Sequence, residues 1–209
     1  MFNFSDQERR LFQKLNTPQK IQRFLNAIPI NFEEKGDTCY SPRQVLRKKK
    51  AHCMEGALLA ATILRFHGHP PLVVDMTATK NDFDHVITVF KQHNHWGAIS
   101  KTNHAVLRFR DPIYKTIREL ILSYFHEYFD NKGRKNLRSY TEPIDLSRFD
   151  KYNWMTSEEE VWYIPDYLAE VKHFPLVSRK QIALLKKPDR IEIKAGELLE
   201  WNKNRLKKR

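Results

Sequence analysis

The chain has 209 residues, of which 41% are hydrophobic and 12% aromatic, and it carries a formal charge of +12. That composition supports a packed core and excludes an intrinsically disordered chain. No run of about 18 apolar residues is present, so no membrane-spanning helix is expected. Two cysteines exclude a disulfide scaffold. The opening "MFNFSDQERRLFQKL" lacks the apolar stretch of a signal peptide, so a cytoplasmic location is expected. The positive charge is concentrated. Arg43 to Lys50 carry five basic residues and no acid, and Lys203 to Arg209 carry five more. A solvated patch and a basic tail account for this better than a nucleic-acid-binding face, which interleaves aromatics with its charges.

In chain order, Ser5-Asp6-Gln7-Glu8 is a capping box that opens a short amphipathic helix through Leu11, Phe12 and Leu15. Thr17-Pro18 starts a second helix, with Ile21, Phe24, Leu25 and Ile28 as its apolar stripe, and Pro29 ends it. Ser41-Pro42 starts a third. From Ala51 to about Phe66 the pattern is helical and rich in Ala, Leu and Met, with Gly68 as its stop. Next come "PLVVDMTA", "DHVITVFK" and "HWGAISKT", short alternating or β-branched runs that predict antiparallel strands, with a turn at His93-Asn94. "DPIYKTIRELILSYFHEYF" predicts a return to helix. Beyond Asn131-Lys132-Gly133 a loop-rich stretch is expected until Ser157-Glu158-Glu159-Glu160 starts another helix. Ser178 opens the last helix and Pro188 breaks it. Helices, then strands, then helices argue for an α+β fold. One domain over residues 1–209 is expected, with a core at 35–130 and an extension at 131–209 packed on it. Trp154, Trp162 and Trp201 are expected to help pack that extension.

Cys53 falls in the first turn of the fourth helix, where unpaired backbone N–H groups and the helix dipole favour a thiolate. A thiolate nucleophile also needs an imidazole to share its proton and a third group to orient that imidazole. His67 and His69 lie at the far end of the helix, about 20 Å away at about 1.5 Å per residue. His52 is adjacent in sequence, which makes pairing with the Cys53 side chain awkward. His85, at the head of "DHVITVFK", is the expected partner. Cys39 follows Gly36-Asp37 in a loop and reads as structural. Zinc is the competing chemistry, because histidines are numerous. No Cys-x-x-Cys pair and no His-Glu-x-x-His pattern supports it.

"CMEGALLAATILRFHGHPPLVVDM" followed by "FDHVITVF" resembles the core of the transglutaminase-like superfamily over roughly residues 41–102. Leu64, Arg65, Gly68 and Pro70 match that family's turn after the Cys helix, and Trp96 and Thr102 match its Trp and Thr. Ser100 stands where the family has the Asp that orients the histidine. The candidates for that third role are Ser100 and Asn103 together, or Asp111 in "RDPIYKT". The resemblance implies a papain-like arrangement and acyl transfer at an amide bond of a protein or peptide, through a thioester on Cys53. Either water or an amine would be the acceptor. No calcium loop is present, and the resemblance implies no metal or other cofactor. The alternatives are a binding module that has lost turnover, favoured by Ser100, and a nucleic-acid binder using the two basic patches.

Overall fold

A computed structural model describes residues 2–80, 82–130 and 132–199. The basic tail and Trp201 lie outside the described residues. Three N-terminal helices form where caps were expected: α1 (Asp6–Lys14), α2 (Pro18–Ala27) and α3 (Pro42–Lys48). The hydroxyls of Ser5, Thr17 and Ser41 accept backbone N–H bonds at their starts, satisfying groups with no intrahelical acceptor. Helix α4 (Cys53–Phe66) follows, with every residue from Met54 to Leu64 buried. A helix apolar on all sides belongs inside a fold, and α4 is the central one. Gly68, at φ +85°, ends it in a Schellman motif: His69 N–H bonds the Leu64 carbonyl and Gly68 N–H that of Arg65. Arg65 then grips both carboxylate oxygens of Asp150, pinning this turn to the 3₁₀ helix Leu146–Tyr152.

The strands are β1 (Leu72–Thr77), β2 (His85–Gln92), β3 (His95–Ile99), β4 (Arg110–Tyr114), β5 (Ser139–Thr141), β6 (Ile144–Asp145) and β7 (His173–Pro175). They build one antiparallel sheet in the order β4-β3-β2-β1-β5-β7, with β6 also paired to β1. The fold is therefore α+β. His93 and Asn94, both at positive φ, make the β2–β3 hairpin turn. One face of the sheet carries Val73, Val86 and Phe90 against α4 and the N-terminal helices. The other carries Val74, Met76, Ile87 and Val89 against α5 (Ile117–Phe125). Helices α6 (Tyr163–Glu170), α7 (Arg179–Ala183) and α8 (Arg190–Gly196) complete the described residues.

Three expectations need correction. Arg110–Tyr114 is an edge strand rather than the start of a helix. Pro112 is compatible with an edge, and the helix begins only at the Thr116–Glu119 capping box. Ser157 does not start a helix. Its hydroxyl is spent on Glu159 N–H, its carbonyl receives the Ser41 hydroxyl, and α6 begins at Tyr163. Finally, residues 139–175 do more than pack on the core, since β5, β6 and β7 extend its sheet. These strands are two or three residues long and have no readable alternation; pairing with β1 and with each other creates them. Trp154 is fully buried, whereas Trp162 is exposed.

The close approach of α4 to the segment after β3 has a cost that a single methyl group exposes. A Cβ at Gly56 would sit 2.4 Å from Lys101 Cβ. Lys101 has little room to yield, because its buried ammonium bonds the carbonyls of Leu25 and Ile28 at the end of α2. Alanine gains about 1 kcal/mol in helix propensity over glycine, but overpacking costs about 1–3 kcal/mol. Gly56→Ala is expected to lower stability by up to about 2 kcal/mol net, read as a reduced urea midpoint.

Candidate active site

The Cys53 side chain opens into a cleft of about 510 Å³. Asp75 is opposite Val86 in the β1–β2 ladder, and its N–H donates to the Thr141 hydroxyl of β5. Thr141 is in turn opposite His173. Val86, Asp75, Thr141 and His173 thus form a row across four strands, and Val86, Asp75 and His173 line the cleft with Cys53. Pro165, Leu168 and Ala169 of α6 supply an apolar wall. A larger cavity of about 1010 Å³ lies among α1, α2 and α3 and contains neither cysteine nor histidine in its lining. It is remote from this chemistry.

His85 is buried, and its Nε2 is 2.8 Å from the Ser100 hydroxyl. Ser100 has one proton, and it goes to the Leu107 carbonyl at 2.6 Å, which can only accept. Ser100 Oγ must therefore accept, so His85 carries its proton on Nε2. In the neutral imidazole that leaves Nδ1 as the basic nitrogen, the one available to a thiol. Pleat alternation assigns His85 to the side of Ile87 and Val89, facing α5. The imidazole still bears on the Cys53 thiol and helps to lower its pKa, because His85 is the first residue of β2 and α4 starts at the same end of the sheet. Ser100 itself is fixed by a two-way amide contact, in which Gln22 Nε2 donates to its carbonyl and Gln22 Oε1 accepts its N–H.

The structure brings Cys53, His85 and Ser100 together. Asn103 is half-buried three residues further on, and the bond orienting His85 comes from Ser100. Asp111 is exposed on β4, separated from β2 by β3. The hydroxyl is also the residue the site requires. An aspartate at position 100 would aim a carboxylate at the Leu107 carbonyl with no proton to donate. Ser100→Asp is expected to destabilise the fold by about 2 kcal/mol or more, because the buried carboxylate, though it can accept from His85, meets the Leu107 carbonyl acceptor to acceptor. It should not raise Cys53 reactivity; a thermal melt and an alkylation rate on the same sample check both.

His52 also bears on the thiol. It is the N-cap of α4, and its ring and the Cys53 thiol shift each other's pKa. Its Nε2 lies 2.8 Å from the Thr38 carbonyl, 3.4 Å from Glu55 Oε1 and 3.6 Å from Glu33 Oε1. Glu55 is fully buried and accepts from Asn31 Nδ2, the Thr38 hydroxyl, Tyr40 N–H and His52 N–H. Burial pulls the His52 imidazole down, but the thiol, the Glu55 charge and the Thr38 carbonyl outweigh it and raise its pKa to about 9. For Cys53, burial pushes the thiol up. Hydrogen bonds and charge from His52 and His85 more than reverse this, holding it well below the ordinary thiol range. Cys39 shows the opposite outcome. It is buried, with the charges of Glu55 and Glu160 adding to burial, and its thiol is pushed up to about 12.

A second proton-holding pair lies across the cleft. His173 Nδ1 donates to the Val171 carbonyl at 2.9 Å, and its Nε2 is 3.1 Å from Asp75 Oδ2. A proton must lie between those last two atoms. Burial raises the Asp75 carboxyl to about 6; the His173 bond opposes this, and the nearby charges of Asp84 and Cys53 add to it. Among the described residues, no group of three or more His, Cys, Asp or Glu is placed to hold a metal ion. No helix there is long and apolar enough to cross a membrane. Comparison with known protein families and with curated proteins finds no match to this chain.

Proposed function

We propose that the protein is a cysteine acyl-transfer enzyme acting on amide bonds, with Cys53 as nucleophile and His85 as the acid–base partner. One observation carries this reading: the Ser100 hydroxyl, its own proton committed to Leu107, holds His85 in the tautomer whose free nitrogen serves the thiol. The Cys53 thiolate attacks the amide carbonyl and forms a tetrahedral adduct. The N–H groups of Cys53 and Met54, which have no acceptor within α4, stabilise its oxyanion. His85, carrying on Nδ1 the proton taken from the Cys53 thiol, gives it to the departing amine, leaving a thioester on Cys53. It then deprotonates the acceptor, water or an amine, that releases the acyl group and restores the thiolate. A Cys-bearing helix followed by an antiparallel, His-headed strand is the order of the transglutaminase-like superfamily, and the match at Leu64, Arg65, Gly68, Pro70 and Trp96 supports placing the core there.

A second reading, a binding module without turnover, is favoured by one feature: the group behind His85 is an uncharged hydroxyl. An activated ester such as p-nitrophenyl acetate separates the two. The enzyme reading expects an acetyl group on Cys53, located by peptide mass spectrometry, that forms and clears in the wild type. Its formation should be at least about a hundredfold slower in His85→Ala. An absence of acetylation in folded protein with a free Cys53 thiol would favour the binding module.

A further inference from the structure

Ser100 raises a physical problem that the rest of the site answers. A thiolate needs a positive partner, and a cysteine enzyme that carries its histidine on a carboxylate stabilises imidazolium there. His85 has no such carboxylate; its Nε2 rests on a neutral hydroxyl. The carboxylates lie behind the other imidazole. His52 Nε2 donates to the Thr38 carbonyl, an acceptor only, so that nitrogen keeps its proton. The same nitrogen is within 3.4 Å of Glu55 and 3.6 Å of Glu33. Its second nitrogen is left for the thiol. The titratable groups facing His52 are Cys53 and Glu55 from α4, Glu33 from the segment between α2 and α3, and His85 across the sulfur.

We infer that the two imidazoles divide the work: His52, backed by Glu55 and Glu33, is the standing counter-ion of the Cys53 thiolate, while His85, backed by neutral Ser100, is the one that exchanges protons. His52 is thus a positioning residue that acts through the Cys53 sulfur. The inference rests on the reading of Cys53 as a nucleophile. A charged Glu–His pair on the helix N-cap supplies the electrostatic support that an aspartate at position 100 would otherwise bring. The arrangement also leaves His85 Nδ1 free to take up a proton and give it back, as an acid–base group must.

The test compares iodoacetamide alkylation of Cys53 across pH in the wild type and in His52→Gln. In this reaction the thiolate forms an S–C bond and iodide leaves. The glutamine amide can still donate to the Thr38 carbonyl but carries no charge. The wild-type rate should persist well below the ordinary thiol range. In His52→Gln the midpoint should rise by at least one pH unit, a tenfold or greater loss of rate at acid pH, with the alkaline plateau retained. An unchanged midpoint in folded His52→Gln would overturn the division of roles and leave the nucleophile reading intact. An ordinary midpoint in the wild type would instead remove the nucleophile reading itself. Cys39 reports the fold, since it reacts only when exposed. Should His52→Gln lose the fold, histidine NMR of the wild type and Cys53→Ser decides. A His52 resonance titrating near 9 in the wild type, and at least one unit lower without the thiolate, supports the counter-ion role. The same midpoint in both proteins overturns it.

Discussion

Glu55→Ala is expected to cost about 3–5 kcal/mol of stability, the scale of an uncompensated break in a buried charged network. The side chain is fully buried. Its loss leaves the Thr38 hydroxyl and the backbone N–H groups of Tyr40 and His52 without their acceptor, and leaves Asn31 Nδ2 only its bond to the Thr38 hydroxyl. Each orphaned donor costs about 1–3 kcal/mol, partly recovered where water enters. Those donors tie the 31–40 segment to the start of α4, so damage should begin beside the site. A urea-unfolding series measures it. Glu55→Gln keeps one acceptor oxygen and should lose roughly half as much. A loss under about 1 kcal/mol for alanine would mean that Glu55 does not organise this segment.

His85→Ala is expected to lower the turnover of any substrate by about 10²–10⁴-fold, the range that a positioned acid–base group supplies. The imidazole bears on the thiol and has its Nε2 on Ser100, so its loss removes the group assigned to exchange the proton. Ser100→Ala should fall by a smaller factor, about tenfold to a hundredfold. It removes the constraint on tautomer and leaves His85 Nε2–H in a buried site with no partner. Stopped assays with any acylating substrate suffice to rank the two. If Ser100→Ala lost as much as His85→Ala, Ser100 would be a participant in the chemistry, not a support for the imidazole.

Much of this site is legible along the chain, for physical reasons that end at definite residues. Caps and prolines place α1 to α3, a run of strong helix formers ending at Gly68 places α4, and period-two alternation places β1 to β3; these together put Cys53 and His85 at neighbouring element ends. Ser100 follows because it is one residue past β3, the hairpin partner of β2. His52 was set aside because neighbouring side chains on a helix diverge. That rule does not apply at an N-cap, where His52 is extended, with φ −92° and ψ −171°. The Asp75–His173 pair spans 98 positions and depends on β7, three residues whose strand character comes only from pairing with β5. Local pattern cannot carry that contact. The pairing of β5 and β6 with β1 is illegible for the same reason.

The most direct test of the account is the pH profile of Cys53 alkylation in the wild type and His85→Ala, with Cys39 as the internal control. A thiol held well below its ordinary value stays reactive as pH falls and loses rate only on passing its own lowered pKa. The account predicts that profile for wild-type Cys53, a midpoint displaced upward in His85→Ala, and an inert Cys39 throughout. A Cys53 midpoint near the free-thiol value of about 8.5 in both proteins, or a thiol that never reacts, would contradict it.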